Sequence, residues 1–201
     1  MAEEIEERLV LAIASGEQPA GSRLTEGSLA EAMEVSRVPA REALLSLAAK
    51  GLLVRAGARG LKVIGFAAPQ VAQIRDVRIA LESLAIRRAA DAVRQIPSAI
   101  AGLDAVLEQM AALATTDNAL ALAQCDLEFH RCILRLTEND VLCRHWEDLA
   151  PHLLVLFCKD WHSQSQGLGE VALHQHLRDF IVSGPLEETE AMLEAHFTTG
   201  T

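Results

Sequence analysis

From Pro69 to the end of the chain, apolar residues recur every three or four positions, the spacing that puts them on one face of an α-helix. Helices are expected over 69–94, 97–114, 118–137, 140–161, 169–183 and 185–198. The breaks fall at Pro97, Asn118, Asn139, Gly167 to Gly169 and Gly184-Pro185. A segment with this pattern packs as an all-α bundle. Half of the 201 residues are hydrophobic by type, enough to bury a core. No run approaches the ~18 consecutive apolar residues of a membrane span, and the acidic start MAEEIEERL is unlike a signal peptide. The expected location is cytoplasmic, with no membrane partner. The four cysteines (Cys125, Cys132, Cys143, Cys158) form no CxxC pair and read as reduced structural thiols.

The first 66 residues follow a different plan. Residues 4–15 suit an amphipathic helix with Ile5, Leu9, Ala12 and Ile13 on one side, stopped by Gly16 and the Pro19–Gly21 turn signals. A short helix follows from Thr25 to Met33. A third starts near Arg37: Ser36 suits the N-cap, and Pro39 lies in the first turn, where its missing N–H breaks no intrahelical bond. Ala40, Leu44 and Leu47 face inward, and Gly51 ends the helix. Then LLV and RAGARGLKVIGF read as two short strands around a glycine turn. Three helices and a hairpin make a winged helix-turn-helix, in which the start of the third helix reaches the DNA major groove. Arg37 and Arg41 stand at that start, the positive end of the helix dipole, where a cation is mildly disfavoured unless it has a task.

Charge divides the same way. The formal net charge is −10, yet residues 20–66 carry seven basic against four acidic side chains, and residues 67–201 carry ten against nineteen. A basic face on an acidic protein suffices to meet a polyanion. The chain therefore reads as mainly α, with a winged helix-turn-helix over 1–66 and an all-helical domain over 67–201.

The stretch IASGEQPAGSRLTEGSLAEAMEVSRVPAREALLSLAAKGLLVRAGARGLKV, residues 13–63, resembles the DNA-binding domain of GntR-family bacterial transcription regulators. The likeness lies in the lead-in GEQPAGSRLTE, the recognition helix VSRVPAREAL, the strand entry KGLL and the wing RGLKV. It implies that Arg37 and Arg41 contact double-stranded operator DNA, that Ser36 touches phosphate, and that Arg59 and Gly60 form the wing tip. Gly27 departs from the pattern, since some members carry an arginine there.

In the helical domain, ALALAQCDLEFHRCILRL (119–136) sets Leu122, Phe129 and Ile133 on one face and Gln124, Glu128, Arg131 and Arg135 on the other. Asp126 and His130 fall on the apolar face, four apart. That is the spacing for gripping one ion, and equally that of a hydrogen-bonded core pair. A buried carboxylate there needs a partner or a metal. Downstream, His174 is nearer than His176 to the apolar face of its helix, and His196 flanks that of the last helix. On 69–94, Arg78 and Glu82 share the inner face with Ile74, Leu81 and Ala85, either as an i,i+4 pair or with an effector carboxylate on the guanidinium.

From Pro69 to Phe197 this segment resembles the metal-binding branch of the FadR-type C-terminal (FCD) domain. The likeness includes RIALE (78–82), TEN (137–139) and the Asp-xxx-His, His, His order. The resemblance implies a homodimer with one divalent cation per subunit held by Asp126, His130, His174 and His196. That cation is commonly zinc, with nickel, cobalt or manganese also served by these ligand types. It further implies a small organic-acid effector near Arg78, Glu82 and Asn139. The leading reading is a DNA-binding transcriptional regulator whose operator affinity such an acid modulates. Alternatives are a metal-responsive or metal-stabilised regulator without an organic effector and, last, a metal-dependent enzyme, for which no general base stands out beside the four ligands.

Overall fold

The computed structural model describes residues 1–57, 60–116, 118–163 and 167–198. The chain divides into two compact units. One comprises Met1–Ala67 with Pro151–Leu156, the other Ala68–Ala150 with Phe157–Thr201.

The first unit is a winged helix. Helix α1 (Ala2–Ala14) buries Ile5, Leu9, Val10 and Ile13 and packs on α3 (Arg37–Ala49), as does α2 (Glu26–Ala32). Lys50 Nζ donates to Glu6 Oε1 at 2.6 Å, tying the end of α3 to α1. Thr25 caps α2 with a reciprocal capping box, its Oγ1 accepting from Ser28 N while Thr25 N donates to Ser28 Oγ. Ser36 occupies the N-cap of α3 in extended conformation, but its hydroxyl makes no cap hydrogen bond. The expected cap is thus one of position, and the exposed hydroxyl is left for other contacts.

The expected hairpin is β2 (Leu53–Arg55) paired antiparallel with β3 (Leu61–Val63). A two-residue strand, β1 (Arg23–Leu24), pairs on the other side of β3, giving the order β1-β3-β2. That third strand was not anticipated, because two residues are too few for an alternation to register. Gly60 has φ +90°, and a Cβ there would lie 2.9 Å from the Leu24 carbonyl oxygen, so the turn into β3 requires glycine. Arg59 lies outside the described residues.

The turn between α2 and α3 closes with Glu34 N bonded to Glu31 O and Val35 N to Ala30 O, leaving Glu34 left-handed at φ 56°. At the end of α3 the same Schellman pattern uses Gly51, with Gly51 N bonded to Ala48 O and Leu52 N to Leu47 O. Gly51 has φ +82°, and the His152 ring lies 3.7 Å from where its Cβ would be.

The second unit is helical. Helix α4 (Ala68–Gln95) packs with α6 (Ala119–Arg135), α9 (Gly167–Ser183) and α10 (Thr189–Thr198), and α5 (Ala101–Leu113) lies on α6 and α9. Short 3-10 turns at Pro97–Ile100 and Leu186–Glu188 open the segments expected to begin as α-helix. The run expected as one helix over 140–161 is two, α7 (Asp140–Glu147) and α8 (Ala150–Ser163). Pro151 is the cause: it lacks the N–H to continue α7, and its ring would meet the Glu147 carbonyl. Residues Pro151–Leu156 of α8 belong to the first unit, and Phe157 onward to the second. The four cysteines form no disulfide. Among the described residues no helix is long and apolar enough to cross a membrane.

Replacing Gly51 by alanine forces a Cβ into left-handed backbone and should lower the unfolding free energy by about 1–2 kcal/mol. Glu34→Gly should move it the other way, by up to about 1 kcal/mol. Urea unfolding of the two variants beside the wild type reads both signs.

Candidate functional site

In the helical unit, three helices bring three imidazoles together. One donor atom each of His130 (α6), His174 (α9) and His196 (α10) lie within 4.8 Å of one another, and the side chains are 0, 2 and 9 % exposed. Asp126, one turn before His130, accepts from His174 Nε2 on its Oδ1 at 3.0 Å, and that oxygen is 3.5 Å from His130 Nε2. His176 is exposed, as its place off the apolar face requires.

His174, His130 and Asp126 are each held from behind. His174 Nδ1 donates to the Glu170 carbonyl at 2.8 Å, leaving Nε2 to face Asp126. His130 Nδ1 lies 2.8 Å from Glu82 Oε2. Trp161 Nε1 donates to Asp126 Oδ2 at 3.2 Å, so the aspartate presents its other oxygen to the histidines. Outer partners of this kind orient ligands in metal sites. Three imidazoles and one carboxylate suit a divalent transition ion, so the residues fit the group that the sequence resemblance implies.

Behind the imidazoles lies a buried ionic cluster. Glu82, 1 % exposed, accepts on Oε1 from Arg78 Nε at 2.8 Å and from Trp146 Nε1 at 2.9 Å. The i,i+4 pair of Arg78 and Glu82 is therefore formed. Arg78 Nη2 lies 2.7 Å from His130 Nε2, and its guanidinium covers the rings of Phe197 at 3.7 Å and Phe157 at 4.6 Å. Burial alone would raise the Glu82 pKa, but the Arg78 guanidinium and the adjoining His130 outweigh it and hold the carboxyl below its usual range. Asp126 follows the same logic, with burial opposed by His174, His130 and Arg78, and is lowered. Burial lowers His130 and drives His196 well below the ordinary histidine value, with His174, His130 and Arg78 adding to the latter. His174 is raised because Asp126 overcomes burial.

A cavity of about 50 Å³ opens beside these groups, lined by Arg78, Asp126, Asp160, Glu170, His174 and His196 among others. Burial, with Asp126 and Glu170 nearby, pushes Asp160 up to about 7. Asn139, expected near an effector, instead caps α7, its Oδ1 accepting from Leu142 N at 3.1 Å, and it does not line the cavity. Glu82 likewise lies behind the cavity, its carboxylate committed to Arg78, Trp146 and His130. Trp146 and Trp161 carry one signal in the sequence, that a buried indole N–H needs an acceptor, and Asp160 carries none.

In the winged helix, Arg37 and Arg41 are exposed at the start of α3. Arg41 Nε is 3.6 Å from Glu26 Oε1, with both side chains half or more in solvent, a loose pairing that leaves the guanidinium available. Val38, between them, is 65 % exposed, an apolar side chain left out of the core. An open groove of about 920 Å³ runs between this helix and the wing, past Arg37, Arg41, Arg55 and Gly60.

A three-stranded winged helix with arginines at the head of its second motif helix, joined to an all-helical unit, defines a transcription regulator of the helix-turn-helix class. Residues 1–63 match the gntR family of bacterial regulatory proteins and residues 73–199 match the FCD domain. The chain belongs to the GntR family and carries an FCD domain; it is a transcriptional regulator and not an enzyme. It is 28 % identical over 197 residues to the "Probable D-xylose utilization operon transcriptional repressor" of Paenarthrobacter nicotinovorans, covering 98 % of this chain and 85 % of that one. It is 32 % identical over 143 residues to the gluconate operon transcriptional repressor of Bacillus subtilis (strain 168), covering 71 % and 58 %. In fold it is similar to E. coli McbR/YncC (TM-score 0.79, 21 % identity, covering 98 % and 93 %). A putative GntR regulator from Rhodococcus sp. RHA1 is also similar (TM-score 0.78, 18 % identity, covering 98 % and 94 %).

Trp146→Phe removes one of the donors to the buried Glu82 carboxylate. The metal-free protein should lose about 1–3 kcal/mol of stability, read as a drop in unfolding free energy by chemical denaturation.

Proposed function

We propose that this regulator acts in the cytoplasm as a homodimer, with Ser36, Arg37, Arg41 and the wing at Arg59 and Gly60 on operator DNA. The helical unit holds one divalent ion, zinc foremost, by Asp126, His130, His174 and His196. A small acid entering beside that ion, within reach of Arg78, changes the affinity for DNA. The observation that supports this most is the buried group of three imidazoles and one aspartate, with outer partners on His130, His174 and Asp126. A bound ion would supply a positive centre among carboxyl groups. The chain's own residues fix the imidazoles and offer the arginine to an anion. The relatives are named for xylose and gluconate operons, which puts sugars and sugar acids first among candidate effectors.

A second reading draws support from the cavity. About 50 Å³ accommodates an ion with a water or two rather than a sugar acid, favouring a regulator that responds to the metal itself unless the cavity opens. A thermal-shift screen of metal-analysed protein against sugar and carboxylic acids separates the two. An acid that stabilises the wild type and fails on His130→Ala supports the effector reading. Operator affinity that follows the metal with no acid response supports the other.

Arg41→Ala should weaken operator binding by about 1–3 kcal/mol, the usual worth of a base or phosphate contact of this kind. A gel-shift titration with unchanged affinity would remove Arg41 from the interface.

A further inference from the structure

Arg78 has five N–H donors and no acceptor, so its 2.7 Å approach to His130 Nε2 assigns that nitrogen's role. Nε2 must be the acceptor, and the ring proton sits on Nδ1, 2.8 Å from Glu82 Oε2. Asp126 Oδ1 lies 3.5 Å from the same nitrogen, and one donor atom of His130 is within 4.8 Å of a donor atom on each of the other two imidazoles. One sp² lone pair serves one partner. It can accept the guanidinium N–H or bind an ion, but not both at once.

We propose that Arg78 is a built-in competitor for the metal, its Nη2–H occupying the His130 lone pair that an ion needs and thereby setting the affinity of the site for cations. The inference rests on the reading of His130 as a ligand. The rest of the arginine's surroundings hold it in this post. Nε remains bonded to Glu82 at 2.8 Å, and the guanidinium lies over Phe157 and over Phe197, the neighbour of His196 on α10. Entry of an ion breaks only the Nη2 bond and leaves the Glu82 bond intact. The guanidinium thus fills the place of a cation among Asp126, Glu82 and the imidazoles when no ion is present, so the buried carboxylates are never without a positive partner. The cost of removing it is subtracted from the affinity of whatever ion replaces it.

The test is metal affinity in side chains that stop short of His130. A lysine at 78 keeps the charge and can reach Glu82, but its ammonium ends one bond before the position of Nη2. A methionine removes both charge and donor. Full-length wild type, Arg78→Lys, Arg78→Met and His130→Ala are stripped with a chelator, checked for folding by circular dichroism, and titrated with Zn²⁺ against a chromophoric chelator. Arg78→Lys should bind zinc about tenfold or more tighter than wild type, the worth of a charge-assisted hydrogen bond to a buried imidazole. Arg78→Met should gain at least as much. Nitrogen NMR of the wild-type imidazoles should show His130 Nε2 changing from hydrogen-bond acceptor to metal-bound as zinc is added. Zinc bound only by the two Arg78 variants would be the limiting form of the same competition. If wild type binds one zinc, His130→Ala binds none, and neither Arg78 variant binds more tightly, the competition is wrong while the ligand assignment stands. If neither wild type nor the Arg78 variants bind zinc, the ligand assignment fails and takes the competition with it.

Discussion

The helical unit is organised around one buried carboxylate. Glu82 on α4 is met by Arg78 from its own helix, His130 from α6 and Trp146 from α7. A carboxylate so deeply buried without partners would cost several kcal/mol, so the helices that supply those partners have one arrangement that is tolerable and many that are not. An apolar core could slide by small repackings. This one cannot, because a shift of α6 or α7 by half a turn would strand a charge or an indole N–H. The same cluster fixes His130, and through it the place where three imidazoles and Asp126 meet. Stability and candidate chemistry here are two uses of one set of hydrogen bonds.

That double use explains which parts were legible in the sequence. Helical spacing is a local property, so the inward placement of Asp126 and His130 four residues apart, of His174 in preference to His176, and of Arg78 with Glu82 could be read directly. Partners across helices carry no such signature. The second partner of Arg78 is His130, 52 residues away, and the indoles of Trp146 and Trp161 reach Glu82 and Asp126 over 64 and 35 residues. Asn139 stands where a resemblance suggested a ligand contact, yet an asparagine just before a helix has a nearer demand on it, the unpaired N–H groups of the first turn. The apolar spacing continues across Pro151, so periodicity alone makes one helix of 140–161. At the wing tip Gly60 was legible as a turn glycine, while Arg59 lies outside the described residues.

The winged helix breaks local rules around the start of α3. Glu34 takes a left-handed conformation that favours glycine, in the turn that aims α3. Arg37 and Arg41 stand at the positive end of that helix, and Val38 exposes most of its side chain between them. None of these choices helps the isolated domain fold. All are consistent with a helix whose first turn is completed by a groove edge and its phosphates. A net charge of −10 on the whole chain is no obstacle, because contact forces fall away over about a Debye length, ~8–10 Å at ordinary salt.

The lining of the small cavity constrains how an acid and an ion would act together on the proposed reading. Asp126, Glu170 and Asp160, the last with its carboxyl pushed up to about 7, face it together with Arg78 and with His174, whose pKa Asp126 raises. An incoming carboxylate therefore meets the like charges of Asp126 and Glu170 unless a divalent ion offsets them. The ion then raises affinity for the acid. By the reciprocity of coupled binding, the acid must raise affinity for the ion by the same factor. An effector of this kind would tighten its own metal site, and a protein partly loaded with metal would respond to acid by loading further.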